Sequence, residues 1–342
     1  MILGFELLGL SGELLALFVA FGFMVGVFFG FFGMGGSFLV TPALLILSYP
    51  APVAIGSSMT FVFGTAVIAT MKHHDAGQVD YKLGALMFVG IAVGIELGSR
   101  LVFGLEVLGI ANVVVGVAYV LLLAAIGVLF TRSALDNDRD ADTTDDESTD
   151  GDDDEVPEIA QKIKSYNIPP MMTLADGSKA SLWTISGVGG GVGLVSGFLG
   201  VGGGFVRMPA IYYVIGTSLA AAVGTSLFGG LLSGAVGAFT YGRAGVIDLG
   251  IVTALLVGSA LGARIGSSAT AYVDEDDVTI YFGVMLLVAS LAVGLGELAE
   301  WLSMPILDQL SFVLLIGSAL FVCLMILYHG TLAVRRTRNV PT

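Results

Sequence analysis

Two glycine clusters are the residues whose spacing points most directly to chemistry. The clusters consist of Gly33, Gly35, Gly36 and the adjoining Ser37, and of Gly200, Gly202, Gly203 and Gly204. Each interrupts an apolar run, and a short apolar segment containing a proline follows. Irregular backbone at membrane depth is tolerated only where it is buried in protein or lines a polar cavity. A helix that begins at such a break directs free N–H groups and the positive end of its dipole into that cavity. We therefore expect an anion to bind between two half-helix N-termini, as in transporters built from paired broken helices.

Hydroxyl groups and one arginine extend this candidate site. The hydroxyl residues are Ser57, Ser58, Thr225 and Ser226. We expect them at the start of the next helices, where they either donate to the anion or cap the helices. Arg207 follows Gly202 by five residues. Its side chain either adds positive field to the site or extends to the membrane interface.

Other polar residues within the apolar runs suggest simpler roles. Glu96 and Arg264 occupy equivalent positions 168 residues apart, and they either pair with each other or each face water near a helix end. Close helix packing is the alternative role for the glycines, and it is the role expected of Gly94, Gly98, Gly262 and Gly266. The chain has three histidines and one cysteine, Cys323. A serine hydrolase needs a base near its nucleophile and catalytic zinc usually takes three protein ligands. We therefore expect no catalytic residue, no metal site and no cofactor.

The composition defines the class of protein that must position these residues. Of 342 residues, 56% are hydrophobic and 12% charged, with a mean hydropathy of +0.93. Soluble domains are roughly 45–50% apolar and about 25% charged. This excludes a soluble enzyme, a nucleic-acid binder and a disordered protein, and predicts an all-α polytopic membrane protein. The net charge of −14 is concentrated between Asp136 and Glu158, where 13 residues are acidic and one is basic, so it says nothing about the substrate.

Eleven apolar runs divide the chain into two halves. They lie near 10–32, 36–49, 52–71, 82–104, 108–131, 182–200, 203–216, 218–240, 246–271, 278–298 and 304–328. At about 1.5 Å per residue, 36–49 and 203–216 are too short for a ~30 Å hydrocarbon core, so we expect half-helices there. The predicted domains are a first repeat (1–131), an acidic, disordered cytoplasmic linker (132–181) and a second repeat (182–342).

The two halves repeat in register. Positions 30–44 match 197–211 at an offset of 167, and positions 55–58, 76–80, 94 and 98 match at an offset of 168. If the N-terminus is outside and each long-plus-short pair enters the membrane and returns, ten of the fourteen Lys and Arg residues lie inside. The odd number of segments in a half then predicts inverted repeats. Parallel repeats follow instead if each pair is one broken crossing.

The doubled motif Gly-x-x-Gly-x-Gly-Gly-(Gly/Ser)-Phe-x-x-x-Pro, followed by Gly-(Ser/Thr)-Ser and Ala-Gly-x-(Val/Ile)-Asp, resembles the sulfite exporter TauE/SafE family, also called the 4-toluene sulfonate uptake permease group. The resemblance covers both hydrophobic halves. It implies a multi-pass protein of the cytoplasmic membrane that moves sulfite, sulfoacetate or sulfonates. The expected partners are a small sulfur oxyanion and the lipid bilayer, with no nucleic acid; a coupling proton or sodium ion stays open, and a passive anion channel is the alternative. The acidic insertion departs from a plain member of the family. Ser37 stands where the second half has Gly204, so the two half-sites are not identical.

Overall fold

The computed structural model describes residues 6–7, 9–32, 36–75, 79–141, 169–174, 179–217, 219–269 and 275–338. Almost all of these residues are helical. The helices are α1 (Gly12–Phe32), α2 (Val40–Ile46), α3 (Ala51–Asp75), α4 (Tyr81–Val107), α5 (Ala111–Ala141), α6 (Leu182–Leu199), α7 (Gly204–Ala210), α8 (Leu219–Arg243), α9 (Leu249–Ala269), α10 (Glu275–Leu302) and α11 (Pro305–Arg338). A 3-10 turn, Gly36–Leu39, leads into α2, and a π-helical turn, Ile211–Ile215, continues α7.

The apolar runs become helices because a continuous helix satisfies its own backbone hydrogen bonds, which the bilayer core cannot do. Eight described helices are long and apolar enough to cross a membrane. Three further apolar stretches are shorter, namely Ser37–Ile46, Ala51–Val67 and Gly204–Ile215. The protein is therefore an all-α multi-pass membrane protein, as the composition predicted.

Two helix pairs pack backbone against backbone through glycines. Helix α1 lies along α9, and α4 lies along α6. A side-chain carbon would overlap the partner's backbone at Gly22, Gly26 and Gly30 of α1, Gly258, Gly262 and Gly266 of α9, Gly90, Gly94 and Gly98 of α4, and Gly189, Gly193 and Gly197 of α6. Small residues let membrane helices approach this closely. The packing role predicted for four of these glycines is confirmed.

The contact registers give the directions of the helices. Along the α1–α9 interface, Gly22 meets Leu255 and Gly30 meets Ala263, so the two helices run parallel. Along α3 and α8, Gly56 meets Tyr241 whereas Gly234 meets Phe63, so these helices are antiparallel. Helices α5 and α10 are also antiparallel, because Gly116 meets Glu297 and Gly127 meets Leu287.

The segment between the halves has more structure at its ends than the predicted linker 132–181. Helix α5 continues to Ala141, about ten residues beyond its apolar run. A two-stranded antiparallel hairpin, β3 (Met171–Thr173) with β4 (Lys179–Ser181), precedes α6, and a second small hairpin, β1 (Glu6–Leu7) with β2 (Leu10–Ser11), precedes α1. The Lys82 ammonium donates to the Thr173 carbonyl and thereby links the β3–β4 hairpin to α4. The most acidic part of the predicted disordered linker, 142–168, lies outside the described residues.

Candidate functional site

The second glycine cluster forms a sharp break between α6 and α7. Gly200, Gly202 and Gly203 have φ angles of +76°, +63° and +76°. This left-handed region is open to glycine without the steric cost that a Cβ brings. Gly200 ends α6 and Gly203 precedes the first residue of α7. The spacing of the glycines thus corresponds to the positions where the backbone must turn.

Side chains donate to five carbonyl groups at and just before this break. Their hydroxyl groups donate from Tyr241 to Gly197 O at 2.6 Å, from Tyr119 to Leu199 O at 2.5 Å, from Ser37 to Val201 O at 2.7 Å, from Ser233 to Gly202 O at 2.8 Å and from Ser226 to Gly204 O at 3.1 Å. Buried backbone carbonyls need such partners. Since these hydroxyl protons are committed to carbonyls, Ser37 and Ser226 offer lone pairs rather than donors to a ligand.

Three amide groups of the break lack hydrogen-bond acceptors among the described residues. Within the described part of the chain, the N–H groups of Val201, Gly202 and Gly203 have no hydrogen-bond partner. The N–H groups in the first turn of any helix also lack intrahelical partners. Among the described residues, the break therefore presents three consecutive N–H groups without acceptors, whereas only the Gly200 carbonyl lacks a donor. Such an arrangement of backbone donors suits an anion.

Arg207 lies beside the break and is fully buried. Nη1 donates to the Ser226 carbonyl at 2.8 Å, and Nη2 donates to the Gly202 carbonyl and to Ser233 Oγ, both at 2.9 Å. The side chain is enclosed by protein, so it does not extend to the membrane interface. The contribution of its positive field to an anion site stays a prediction.

A small cavity of about 20 Å³ lies against this break. Its walls include four of the predicted site residues, Ser37, Gly202, Gly204 and Ser226. The other lining residues are Phe29, Val62, Thr65, Ala66, Val201, Leu227 and Gly230. The cavity thus brings the 3-10 turn before α2 together with the break between α6 and α7. Its volume is that of about one water molecule, and glycines, hydroxyl groups and apolar side chains form its lining.

Three predicted hydroxyl residues have partners elsewhere. Ser57 Oγ accepts from the amide of Asp248 at 3.1 Å, and Thr225 Oγ1 accepts from the amide of Asp80 at 3.0 Å. Ser58 Oγ accepts from Thr41 Oγ1 at 2.8 Å.

The expected location of these hydroxyls at helix starts was wrong, because α3 and α8 begin six residues earlier, at Ala51 and Leu219. Gly36 begins the 3-10 turn before α2. Gly33 and Gly35 lie outside the described residues.

The predicted alternative of a Glu96–Arg264 pair was wrong. Glu96 instead pairs with Arg100, at 3.0 Å, and with Arg243, at 2.7 Å. Arg264 is exposed on α9. The pairing partner is Arg243 because the end of α8 lies beside α4, whose contacts with α8 are extensive.

Sequence reasoning missed three residues that hold the break, Tyr119, Ser233 and Tyr241. A signal for Ser233 was present, because Ser226, Gly230 and Ser233 recur at helical spacing and share one face of α8. Buried tyrosine hydroxyls usually find a partner. That rule predicts that Tyr119 and Tyr241 have acceptors, but it does not identify them.

One known protein family matches most of this chain, and curated proteins match shorter parts of it. The family model for the sulfite exporter TauE/SafE matches residues 18–293. The chain is 31% identical over 84 residues to the probable membrane transporter protein YunE of Bacillus subtilis (strain 168), covering 24% of this chain and 31% of that protein. It is 33% identical over 115 residues to a probable membrane transporter protein of Xylella fastidiosa (strain 9a5c), covering 30% of this chain and 44% of that protein. The chain thus spans less than half the length of these curated relatives.

No solved structure matches the chain significantly. The family model, by contrast, covers most of it, from within α1 to within α10. The chain therefore belongs to the sulfite exporter TauE/SafE family.

Proposed function

We propose that this protein is a secondary transporter of the cytoplasmic membrane that carries a small sulfur-containing anion of the sulfite, sulfonate or sulfoacetate class. The anion binds at the cavity between the second glycine break and the 3-10 turn before α2. The observation that carries this proposal is the division of backbone groups at the second break. Side chains donate to the carbonyls of Leu199, Val201 and Gly202, whereas the amides of Val201, Gly202 and Gly203 have no partner among the described residues.

Backbone donors of this kind fit a sulfur oxyanion. Hydrogen bonds to charged groups contribute about 1.5–3 kcal/mol each, so a few amides can hold the anion. Arg207 adds a positive charge next to the same cavity. The family match supports transport as the activity, and the relatives named as membrane transporters agree with it.

We further propose that the two halves are inverted repeats, each with a re-entrant half-helix. Equivalent helices α3 and α8 contact each other in antiparallel orientation, as do α5 and α10. A twofold axis perpendicular to these helices relates such pairs, and this axis lies in the membrane plane. The equivalent residues Phe38 and Phe205 stack edge to face at 5.8 Å, as residues beside such an axis do. In this arrangement α2 and α7 return the chain toward the side from which α1 and α6 started.

The inverted arrangement also accounts for the distribution of charge. One side of the bundle holds the ends of α3, α5 and α11 and the beginnings of α4 and α6. This side carries Lys82 and Lys179. The opposite side holds Arg243 and Arg100. By the positive-inside rule the first side is cytoplasmic.

Flux measurements with purified protein in proteoliposomes test the transport proposal. We expect saturable uptake of radiolabelled sulfite that is accelerated by unlabelled sulfite on the opposite side. Flux that rises linearly with concentration and shows no such acceleration indicates a passive channel. Binding of only cations or neutral solutes would contradict the anion site.

Two matched glycine variants locate the site. A side chain at Gly203 lies 2.5 Å from Ser196 Oγ and 3.0 Å from Arg207 Nη2, and it also strains a left-handed backbone. Gly203→Val is therefore expected to abolish flux and binding in a protein that still inserts. In contrast, Gly94→Val overlaps the backbone of α6 and is expected to lower thermal stability first. Normal transport by the Gly203 variant would exclude this site.

A further inference from the structure

The guanidinium of Arg207 is a buried positive charge without an acidic partner among the described residues. Its three hydrogen bonds go to two backbone carbonyls and one hydroxyl, and Nε has no partner there. Arginine stays protonated in proteins. Burying an unpaired charge costs several kcal/mol even after relaxation, so a compensating charge is expected nearby.

The groups that contact this guanidinium in the described part of the chain are uncharged. The site of an added carbon at Gly203 lies within 3.0 Å of Arg207 Nη2, Val192 Cγ1 and Ser196 Oγ, so α6 contributes Val192 and Ser196. Helix α8 contributes Gly229, whose added carbon would lie 2.6 Å from Arg207 Cδ, together with Ser226 and Ser233. The position equivalent to Arg207 in the first repeat, 167 residues earlier, is Val40. One half of the site therefore carries a charge that the other half lacks.

The guanidinium adjoins the wall of the cavity. The carbonyls of Gly202 and Ser226, which accept from it, belong to residues that line the cavity. Gly230 also lines the cavity, and a methyl group added there lies 3.6 Å from Arg207 Nη1 and 3.7 Å from Ala66 Cβ. The absence of a side chain at Gly230 thus leaves space for a methyl group between Nη1 and Ala66, another cavity residue.

We propose that Arg207 is the fixed counter-charge of the anion site and that the site consequently selects anions with a single negative charge. This inference rests on the proposed transport function and narrows its substrate class to hydrogensulfite and simple sulfonates, because sulfoacetate carries two negative charges. One negative charge neutralises one buried guanidinium, whereas a dianion leaves a surplus negative charge in surroundings of low dielectric constant.

The remaining lining indicates what the monoanion carries besides its charge. The cavity lining also includes apolar side chains, those of Phe29, Val62, Ala66, Val201 and Leu227. A sulfonate with a short hydrocarbon group places its oxygens near the amides and Arg207 and its hydrocarbon against these side chains. Hydrogensulfite has the same charge and a similar head group.

The decisive comparison uses wild-type protein and two anions with similar tetrahedral heads. Methanesulfonate carries one charge and sulfate carries two. Isothermal titration at constant ionic strength is expected to give tighter binding of methanesulfonate, by on the order of tenfold or more, since an unneutralised buried charge costs several kcal/mol. Sulfite affinity is expected to fall as rising pH converts hydrogensulfite into the dianion, whereas methanesulfonate affinity stays constant over the same range.

A matched pair of glycine variants tests the role of Arg207 without removing its hydrogen bonds. Gly230→Ala places a methyl group beside Nη1 at ordinary contact distance. It is expected to weaken methanesulfonate binding while the thermal midpoint holds or rises, because alanine favours a helix. Gly191→Ala on α6, where the added carbon meets nothing within 4 Å, is the control and is expected to leave binding unchanged.

The outcomes separate the inference from the proposed function. Sulfate binding as tightly as methanesulfonate, or Gly230→Ala binding like wild type, would overturn the inference and leave anion transport standing. If the protein binds none of methanesulfonate, sulfate and sulfite, the proposed function itself is contradicted. Arg207→Gln, if it folds, is expected to lose the preference for the monoanion.

Discussion

The Ser37 hydroxyl donates a 2.7 Å hydrogen bond to the Val201 carbonyl and joins the two glycine clusters directly. The two residues lie 164 positions apart, and both are buried. Val201 stands between two glycines in the left-handed conformation. A hydrogen bond from one half of the chain therefore supports the irregular backbone of the other half.

Removing that hydroxyl should destabilise the protein. Ser37→Ala leaves the buried Val201 carbonyl without a donor, which costs about 1–3 kcal/mol. We expect a lower thermal midpoint in detergent. Ser318→Ala is the control, because the Ser318 hydroxyl donates only to Leu315 O in its own helix, and its effect should be smaller. Equal effects of the two substitutions would contradict the bridging role of Ser37.

Two glycines of α6 provide a sharp test of the backbone contact with α4. A carbon added at Gly193 overlaps the backbone of Ile91, whereas one added at Gly191 meets nothing within 4 Å. We expect Gly193→Ala to lower the thermal midpoint strongly. Gly191→Ala should hold or raise it, since alanine exceeds glycine in helix propensity by about 1 kcal/mol. If Gly193→Ala has the same thermal midpoint as Gly191→Ala, the backbone contact between α6 and α4 does not require glycine at position 193.

The inverted arrangement predicts opposite exposure of two equivalent residues. Tyr81 and Leu249 are the first residues of α4 and α9, and both are exposed. In a Cys323→Ser background, Tyr81→Cys should react with a membrane-impermeant thiol reagent only from the cytoplasmic side. Leu249→Cys should react only from the outside. Labelling of both from one side would establish parallel repeats.

Ser57 and Thr225 make equivalent contacts between the halves, which predicts a structural role. Each accepts the amide of an aspartate that precedes α9 or α4, and these aspartates cap the helices. Ser57→Ala should lower the free energy of unfolding by about 1 kcal/mol, the size of a typical hydrogen bond. Methanesulfonate affinity measured by titration should stay unchanged. A large loss of methanesulfonate affinity in a stable Ser57→Ala variant would contradict the structural role and indicate that this hydroxyl contacts the anion.

The sequence by itself determined the helical elements and the class of protein, an all-α multi-pass membrane protein. Long apolar runs must become helices in a bilayer, because each backbone group needs a partner within its own segment. Glycine clusters next to prolines predicted where those helices break, and Gly200, Gly202 and Gly203 take the left-handed conformation there. Such properties depend on residues close together in the chain, so local reading suffices for them.

The tertiary structure alone decided which polar atoms meet. Ser57 and Ser226 look alike in sequence, yet one accepts from Asp248 in the other half and the other donates to Gly204 within its own half. Glu96 likewise pairs with Arg243 rather than Arg264. These contacts join residues far apart in the chain, and they depend on how α3, α4 and α8 cross. Periodicity places a residue on one face of its helix, but only the packing of the helices brings a partner to that face.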